Sequence, residues 1–113
     1  MEKNQANCRG NQCGDHFEYT SPVGSFSANP FGLYDTAGNV WEWIADSWHK
    51  DYTNAPNDGK SWTDNATSNR VLRGGSWINV SNDSRAALRV RDYPYYGLTG
   101  IGFRVVRRVA RTN

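Results

Sequence analysis

The sequence predicts a single mostly β domain with long irregular loops, in the α+β class, and three observations support this. The chain of 113 residues contains 11 glycines, and glycine disfavours helix interiors. Its apolar residues also show little helical periodicity. Short apolar segments that alternate with polar residues recur between turns, as in strands with one buried face. The length fits one domain, residues 1–113, that buries about two-thirds of its unfolded-chain surface. Five Trp, six Tyr and four Phe predict an aromatic core.

The first forty residues are predicted to be loops and turns. Residues 1–21 are polar and irregular, and residues 22–26 form a short extended piece. Asn29-Pro-Phe-Gly and Asp35-Thr-Ala-Gly-Asn39 are turn sequences, because glycine and asparagine adopt backbone angles that other residues avoid.

Strands are predicted from residue 40 onward. In the first, Val40–Ser47, the side chains of Trp41, Trp43 and Ala45 share one face. The hydrophilic segment 49–70 must be a long surface loop. The remaining predicted strands are Val71–Trp77, Ala86–Arg91 and Ile101–Val109. We expect Arg73 or Arg104 to brace the sheet by reaching buried carbonyl or carboxylate oxygens.

Charge and hydropathy exclude several kinds of partner. A formal net charge of +2 is too small to indicate nucleic acid. No apolar run approaches the roughly 20 residues of a membrane span, and no signal-peptide core is visible, so the sequence predicts a cytoplasmic protein. In that compartment we expect Cys8 and Cys13 first as free thiols, then as a disulfide, and last as zinc ligands with His16.

Two carboxylates flank the turn before the first strand. Glu42 lies on an otherwise apolar strand face, where a carboxylate needs a cation or several donors. Together with Asp35 and the backbone oxygens of Gly38 and Val40, it forms an oxygen-rich set that suits calcium. The spacing does not fit an EF-hand loop, and an ion pair between Glu42 and an arginine is the alternative. The candidates for that pair are Arg73 and Arg89.

Two motifs resemble one known family. They are Asn29-Pro-Phe-Gly-Leu-Tyr-Asp-Thr-Ala-Gly-Asn-Val-Trp-Glu-Trp43, and Arg73-Gly-Gly-Ser-Trp77 followed by Gly100-Ile-Gly-Phe-Arg104. The chain resembles the formylglycine-generating enzyme (sulfatase-modifying factor) group from about Asn7 to Arg108. The resemblance implies a C-type-lectin-like fold of that subtype. The family's domain is usually about twice this length, which implies a minimal or N-terminally truncated version. Either the domain is complete in this minimal form, or a partner or a second copy in a homo-oligomer covers the edge left open.

The resemblance also implies calcium at two places. The first matches the set already described, with side chains of Asp35 and Glu42 and backbone oxygens of Gly38 and Val40. The loop that carries the second is shorter here than in the family. Its matching residues are the side chains of Asn7 and Asp15 and the backbone of Cys8 and Phe17.

Catalysis is not expected from this chain. Catalytic relatives hold copper(I) with two cysteines beyond the Gly-Gly-Ser motif, because copper(I) prefers thiolates. Those positions here are Asn79 and Ser84, so the sequence predicts no copper and no enzyme. A related branch uses a three-histidine iron site, but this chain has two histidines. The alternative is a formylglycine-generating, oxidative enzyme domain that needs a missing N-terminal half or a partner.

The segment from Ile78 to Gly100 follows no hydrophobic period. From Ile78 onward there is no Lys, Glu, Gln, Met or Trp, although all five occur earlier, and codons ending in C cannot encode them. This resembles variable proteins of diversity-generating retroelements, whose AAC asparagine codons are replaced at random. It implies a non-catalytic display domain that binds a protein or glycan. The predicted binding positions are Ile78, Val80, Asp83, Leu88, Val90, Asp92, Tyr93, Tyr95, Tyr96, Leu98 and Thr99.

Two alternatives remain for this segment. The first is an ordinary non-catalytic relative whose loops have drifted, which would have a similar sequence. The second is that the tyrosines at 93, 95 and 96 pack as core beneath the 49–70 loop. A display surface instead requires its side chains to be accessible on one face, while a fixed frame is buried. That frame consists of Trp41, Trp43, Trp77, Ile101 and Phe103.

Overall fold

The computed structural model describes residues 4–10, 12–64 and 67–109, and the regular structure in these ranges is one four-stranded sheet and one short 3-10 helix, Ser81–Ser84. Strand β1 is Trp41–Ser47, β2 is Arg70–Arg73, β3 is Val90–Asp92 and β4 is Ile101–Gly102, in the order β3-β2-β1-β4. β2 is antiparallel to both β1 and β3, whereas β4 is parallel to β1. The mostly β architecture with long loops is confirmed. Within the described ranges, no helix is long and apolar enough to cross a membrane.

A bulge in β1 interrupts the alternation predicted from its sequence. Trp43 is opposite Leu72 and Ser47 is opposite Arg70, so β1 advances four residues while β2 advances two. Trp41, before the bulge, is buried as predicted, but Ala45 within it is exposed. A bulge reverses side-chain direction locally, and a strict period of two therefore mispredicts the residues after Trp43.

The other strands are shorter than predicted. β2 ends at Arg73 rather than at Trp77, because Gly74 and Gly75 have φ angles of +101° and +73°, which a strand cannot contain. β3 is displaced to 90–92, and β4 ends at Gly102 rather than at residue 109. Val105 and Val106, beyond β4, are 84% and 87% exposed. Alternation of Arg and Val produces a strand only when a neighbouring strand pairs with it.

The turn at Gly38 and Asn39 connects distant parts of the chain. The Gly38 N–H donates to the carbonyl of Gly74 at 2.6 Å, and the Asn39 N–H donates to the carbonyl of Asn7 at 2.9 Å. The carbonyl of Asn39 accepts the N–H of Trp77 at 2.8 Å. Backbone hydrogen bonds at this turn therefore hold the N-terminal loop and the Gly-Gly-Ser-Trp segment in place.

The Asn39 side chain extends this network to Ser21. Its Oδ1 accepts the Ser21 N–H at 2.9 Å, and its Nδ2 donates to the Ser21 carbonyl at 3.2 Å. Asn39 has φ +66° and Gly38 has φ +75°, a region that asparagine tolerates and glycine enters freely. A Cβ at Gly38 would also overlap the Asn7 carbonyl oxygen. Both sequence identities are therefore required by the turn.

The predicted aromatic core is wrong. The buried apolar residues are Ala6, Cys8, Cys13, Phe26, Trp41, Val71 and Leu72. The interior also holds polar residues, namely Asn7, Asp15, Ser21, Asn39, Ser47, Ser76 and Ser84. Among the predicted frame residues, Trp43, Trp77 and Ile101 are half-buried and Phe103 is 76% exposed. A sheet of short strands cannot cover large rings on both faces, so hydrogen-bonded loops fill the interior instead.

Cys8 and Cys13 form a disulfide, with their Cα atoms 5.6 Å apart, and the expectation of free thiols is wrong. Both cysteines pack with Ala6 in the buried N-terminal cluster. Gly10 and Gly14 have φ angles of +59° and +68°, which allow the short loop to close within disulfide range. The sequence argument relied on cellular compartment and did not consider this local geometry.

We predict that Gly38→Ala destabilises the fold by about 2 kcal/mol or more, because alanine is strained at this φ and its Cβ meets the Asn7 carbonyl. The measurement is urea unfolding. Gly97→Ala is the matched control, since no atom lies within 4 Å of a Cβ at that position, and it should change stability by less than about 0.5 kcal/mol. Equal stability of the two variants would contradict the central role of the turn.

Candidate functional site

The predicted variable segment borders a depression of about 460 Å³ on one side of the sheet. Trp41 and Leu72, which belong to the buried core, line it together with Ile101 of β4. The predicted binding positions that line it are Ile78, Val90, Asp92, Leu98 and Thr99. The structure therefore places residues from both ends of the segment around one depression. Residues of the frame line the same depression.

The eleven predicted binding positions all lie outside the buried class. Five are partly buried: Val80, Asp83, Leu88, Val90 and Asp92. Six are exposed: Ile78, Tyr93, Tyr95, Tyr96, Leu98 and Thr99. Tyr95 is 74% exposed and Tyr93 is 39% exposed, so the tyrosines are not core beneath the 49–70 loop. Packing constrains these positions less than it constrains the frame.

The three tyrosines form an exposed aromatic cluster. Tyr93 and Tyr95 stack with ring centroids 5.4 Å apart, and Tyr96 meets both edge-on at 5.9 and 5.1 Å. The Tyr96 N–H donates to the Tyr93 carbonyl at 3.0 Å, which closes the turn through Pro94. Exposed tyrosines that are already ordered lose little rotamer entropy on binding, which is why they are frequent in binding loops.

The base of the segment is held by hydrogen bonds. Asn79 Oδ1 accepts the Trp41 indole N–H at 2.8 Å and the Ser76 hydroxyl at 2.5 Å. The Trp77 indole N–H donates to the Thr99 carbonyl at 3.2 Å and connects the two ends of the segment. Asn79, one of the two positions that match copper-binding cysteines, therefore stabilises the frame.

Ser84 is at the other position that matches a copper-binding cysteine. Its hydroxyl is buried and has no hydrogen-bond partner among the described residues. Ser84 is the last residue of the short 3-10 helix Ser81–Ser84, and it packs close to Gly75. Neither this hydroxyl nor the Asn79 amide supplies the soft ligand that copper(I) requires.

A second group, of arginine and aromatic side chains, surrounds Arg89 and Arg91, and the sequence analysis did not predict it. The Arg89 guanidinium lies between two rings, 4.8 Å from the Trp48 centroid and 4.5 Å from the Tyr52 centroid. Arg91 lies 5.5 Å from Trp48, and Arg73 donates to the Tyr52 hydroxyl at 3.2 Å. We call these five residues the arginine–aromatic cluster. The signal in the sequence was the Arg-Val-Arg alternation at 89–91.

Asp51, next to this cluster, has a carboxylate engaged within its own loop. Its Oδ1 accepts the Thr53 N–H at 3.0 Å. Hydrogen bonds from the Thr53 backbone and side chain hold the pKa of Asp51 below its usual value, with a smaller contribution from the positive charge of Arg89. The carboxylate is thus near Arg89 without forming an ion pair with it.

Arg104 occupies the predicted calcium region around Glu42. Its Nε and Nη2 donate to the two Glu42 carboxylate oxygens at 2.8 and 2.5 Å. It also donates to the carbonyls of Tyr34 and Asp35 at 2.8 and 2.9 Å. Hydrogen bonding to Glu42 raises the pKa of Arg104. Glu42 is thus paired with an arginine, as the alternative proposed, but with Arg104 rather than with Arg73 or Arg89.

Arg73 and Arg104 both reach backbone or carboxylate oxygens, as predicted, but those oxygens are not buried as the prediction required. Arg73 Nη1 donates to the Ala86 carbonyl at 2.5 Å, which ties β2 to the segment before β3. Arg104 ties the end of β4 to β1 through Glu42. Each guanidinium also reaches a loop carbonyl: Arg73 reaches that of Ala86, and Arg104 reaches those of Tyr34 and Asp35.

Each predicted calcium set contains one buried oxygen without a hydrogen-bond partner among the described residues: Asp35 Oδ1 in the first and Asn7 Oδ1 in the second. Such an atom costs free energy unless a ligand meets it. The other oxygen of Asp35 accepts the Gly24 N–H at 2.8 Å. Asp15 accepts the N–H groups of Cys8 and Phe17 at 3.2 and 3.0 Å. No group of three or more His, Cys, Asp or Glu side chains in the described ranges is arranged to hold a metal ion, so calcium at either set stays a prediction.

Comparison with known proteins identifies relatives along almost the whole chain. Residues 1–109 match the sulfatase-modifying factor enzyme 1-like domain. Curated relatives are serine/threonine-protein kinase pkn1 of Chlamydia caviae (39% identity over 97 residues) and formylglycine-generating enzyme of Thermomonospora curvata (38% over 97 residues). Inactive C-alpha-formylglycine-generating enzyme 2 of Bos taurus is 35% identical over 109 residues. These matches cover 80%, 80% and 91% of the chain.

Two solved structures share the fold. PvdO from Pseudomonas aeruginosa has a TM-score of 0.81 and 41% identity, and Treponema denticola variable protein 1 has a TM-score of 0.68 and 34% identity. Each comparison covers 88% of this chain. The chain spans 15–32% of the three curated relatives and 34–38% of the two solved chains. It is therefore similar to one part of considerably longer proteins.

We predict that Arg104→Gln lowers the free energy of unfolding by about 1–3 kcal/mol, because it leaves the Glu42 carboxylate and two carbonyls without their donor. Urea unfolding in the presence of a chelator measures this without a contribution from metal ions. Glu42→Gln with Arg104→Gln should cost less than the sum of the single changes. Arg107→Gln, an exposed arginine, is the control, and if it costs as much as Arg104→Gln the bracing role is wrong.

Proposed function

Since the chain belongs to the family of sulfatase-modifying factor enzyme 1-like domains, we propose that it is a non-catalytic member that binds ligand through a diversified surface. In this proposal it is a variable protein of a diversity-generating retroelement, with the lectin-type frame that such proteins use. The family itself includes both catalytic and inactive members, so the choice depends on the site. The observation that carries the proposal is an accessible variable segment supported by a buried frame.

The absence of catalysis is supported by the two positions that match copper-binding cysteines. Asn79 bonds Trp41 and Ser76, and Ser84 offers a hydroxyl. The chain's two cysteines are joined to each other in a disulfide, so neither is a free thiol, although their loop contacts this segment where the Arg9 N–H donates to the Asn79 carbonyl at 2.8 Å. An oxidative reaction of the formylglycine-generating type would need thiolates that this segment does not contain.

Ligand binding is supported by the arrangement of the surface. Predicted binding positions line the depression above Trp41 and Leu72, and the tyrosine cluster adds exposed, ordered rings. Aromatic side chains in such positions contribute much of the binding energy in protein interfaces. A relative in the same fold carries the name of a variable protein, which agrees with this use of the frame. The expected ligand is a protein or a glycan.

We predict that the eleven positions tolerate random substitution. A displayed library randomised at these positions should retain mostly folded members, and replacement of Tyr93, Tyr95, Tyr96 and Leu98 together by serine should shift Tm by less than about 4 °C. Leu72→Ala, in the frame, is the contrasting control, because loss of a buried leucine side chain costs about 2–5 kcal/mol. The measurement is protease resistance for the library and thermal unfolding for the variants.

The same library tests binding directly. Selection against an arbitrary protein, such as lysozyme, should return folded binders whose substitutions cluster at these positions. A library that is largely unfolded would show that the segment is part of the core, and the proposal would then fail. The neighbouring DNA supplies a separate check, since the proposal requires a near-identical AAC-rich repeat beside a reverse transcriptase gene.

We also propose that calcium stabilises the domain, at Asp35, Gly38, Val40 and Glu42 and, in the second set, at Asn7, Cys8, Asp15 and Phe17. In the first set Arg104 already holds both carboxylate oxygens of Glu42, so the ion would have to displace that guanidinium or share Glu42 with it. The unpartnered oxygens of Asp35 and Asn7 support the proposal. An ion bound at these oxygens would fix the loops before β1, and it would add no chemistry at the variable surface.

We predict that calcium at about 100 times its dissociation constant adds about 2.7 kcal/mol of stability per site, because it binds the folded chain alone. Thermal unfolding with calcium and with a chelator measures the difference. Asp35→Asn should reduce the calcium effect by weakening one ligand, whereas Asp58→Asn, which pairs with Lys60 at the surface, should leave it unchanged. A Tm of the wild type that does not respond to chelation would rule out both sites.

A further inference from the structure

The arginine–aromatic cluster adjoins the depression of the variable surface. Arg91 lines that depression and also lies over Trp48. Its neighbours Val90 and Asp92 line the depression as well. All three residues of β3 therefore line the depression, which follows this strand at the edge of the sheet. A ligand seated in the depression would therefore reach the edge of the cluster.

The positive charges of the cluster are offset only in part within the described part of the chain, where Asp51 lies close enough to Arg89 for that charge to lower its pKa. Arg73, Arg89 and Arg91 are absent from the ion pairs seen among the described residues, which include those of His49, Lys60 and Arg104. The Thr53 N–H donates to the Asp51 carboxylate, which keeps its negative charge, and the three arginines of the cluster outnumber it. Two guanidinium groups that share the Trp48 ring repel each other, and a bound anion would relieve that repulsion.

The rings also hold the guanidinium groups ready for a planar anion. Arg89 is fixed between Trp48 and Tyr52, so little side-chain freedom remains to be lost on binding. The N–H donors of a guanidinium lie in its plane, and packing of its face on a ring leaves that edge available. A guanidinium edge matches a carboxylate with two parallel hydrogen bonds.

The neighbouring surface favours a protein over other anions. The depression is lined by apolar side chains, including Leu72, Ile78, Val90 and Leu98, and the tyrosine cluster lies in the same segment. Tryptophan, tyrosine and arginine together are typical of the energetic centre of protein interfaces. A sulfated glycan would use the arginines but would leave the apolar depression unfilled.

We infer that the arginine–aromatic cluster anchors carboxylate side chains of an acidic polypeptide whose apolar side chains enter the depression. This rests on the proposed function, since it names the partner class of the same surface. Trp48, Tyr52 and Arg73 lie outside the variable segment, and Arg89 and Arg91 lie within it but are not among its eleven predicted variable positions. The anchor would therefore bias every diversified version of the surface toward acidic partners.

The experiment uses a labelled short peptide in which glutamate alternates with leucine, and a second peptide with glutamine in place of glutamate. At low ionic strength the glutamate peptide should bind the wild-type chain at least about tenfold more tightly than the glutamine peptide, and added salt should weaken this binding. Arg89→Gln with Arg91→Gln should remove most of that preference. Arg107→Gln with Arg108→Gln removes the same charge outside the cluster and should weaken binding less than about threefold.

Thermal unfolding checks that both double variants are folded. If the cluster variant does not fold, Arg91→Gln alone takes its place, and resonances of the Trp48 indole and the Arg89 guanidinium in the wild type should shift when the glutamate peptide is added. Equal binding of the two peptides, equal losses in the two double variants, or preference for a sulfated oligosaccharide would overturn the inference. A foldable library with no glutamate preference would reject this inference alone, whereas an unfolded library would reject the proposed function.

Discussion

The turn at Gly38 and Asn39 is the constraint on which the rest of the structure depends. Its backbone and one side chain bond the N-terminal loop, Ser21 and the Gly-Gly-Ser-Trp segment, so loops far apart in sequence meet at one point. The buried interior is largely polar, and polar groups there are stable only when they are paired. A molecule with so little regular structure therefore depends on particular hydrogen bonds more than on the volume of its core.

The frame and the variable segment use different physics. In the frame, Trp41 is buried and its indole N–H donates to Asn79. Replacement of Trp41 would leave a cavity, and replacement of Asn79 would leave the indole N–H unpaired. In the segment, the tyrosine rings contact mainly one another and solvent. This separation lets one part of the chain vary while the fold persists, and the cost of exposing large side chains is acceptable when a ligand covers them.

The chain is similar both to a relative named as an enzyme and to one named as inactive. Two positions show how one frame can be compatible with catalysis or with its loss. Asn79 supports an indole where a catalytic relative is expected to place a metal-binding thiolate. Arg104 satisfies the oxygens of Glu42 and of two carbonyls, where the resemblance implies a cation. In both places the chain fills a structural need with its own side chains, and the chemistry of the site then depends on which oxygens remain unpartnered.

The sequence alone determined the mostly β class, strand β1 and the accessible segment after Trp77, because turn residues and short-range alternation are local properties. It mispredicted the aromatic core, the length of the last strand and the state of the cysteines. Those outcomes depend on which side chains the neighbouring segments cover. The tertiary structure alone decided that Arg104 pairs with Glu42 and that Arg89 lies between Trp48 and Tyr52, since both contacts join residues whose separation in sequence carries no periodic signal.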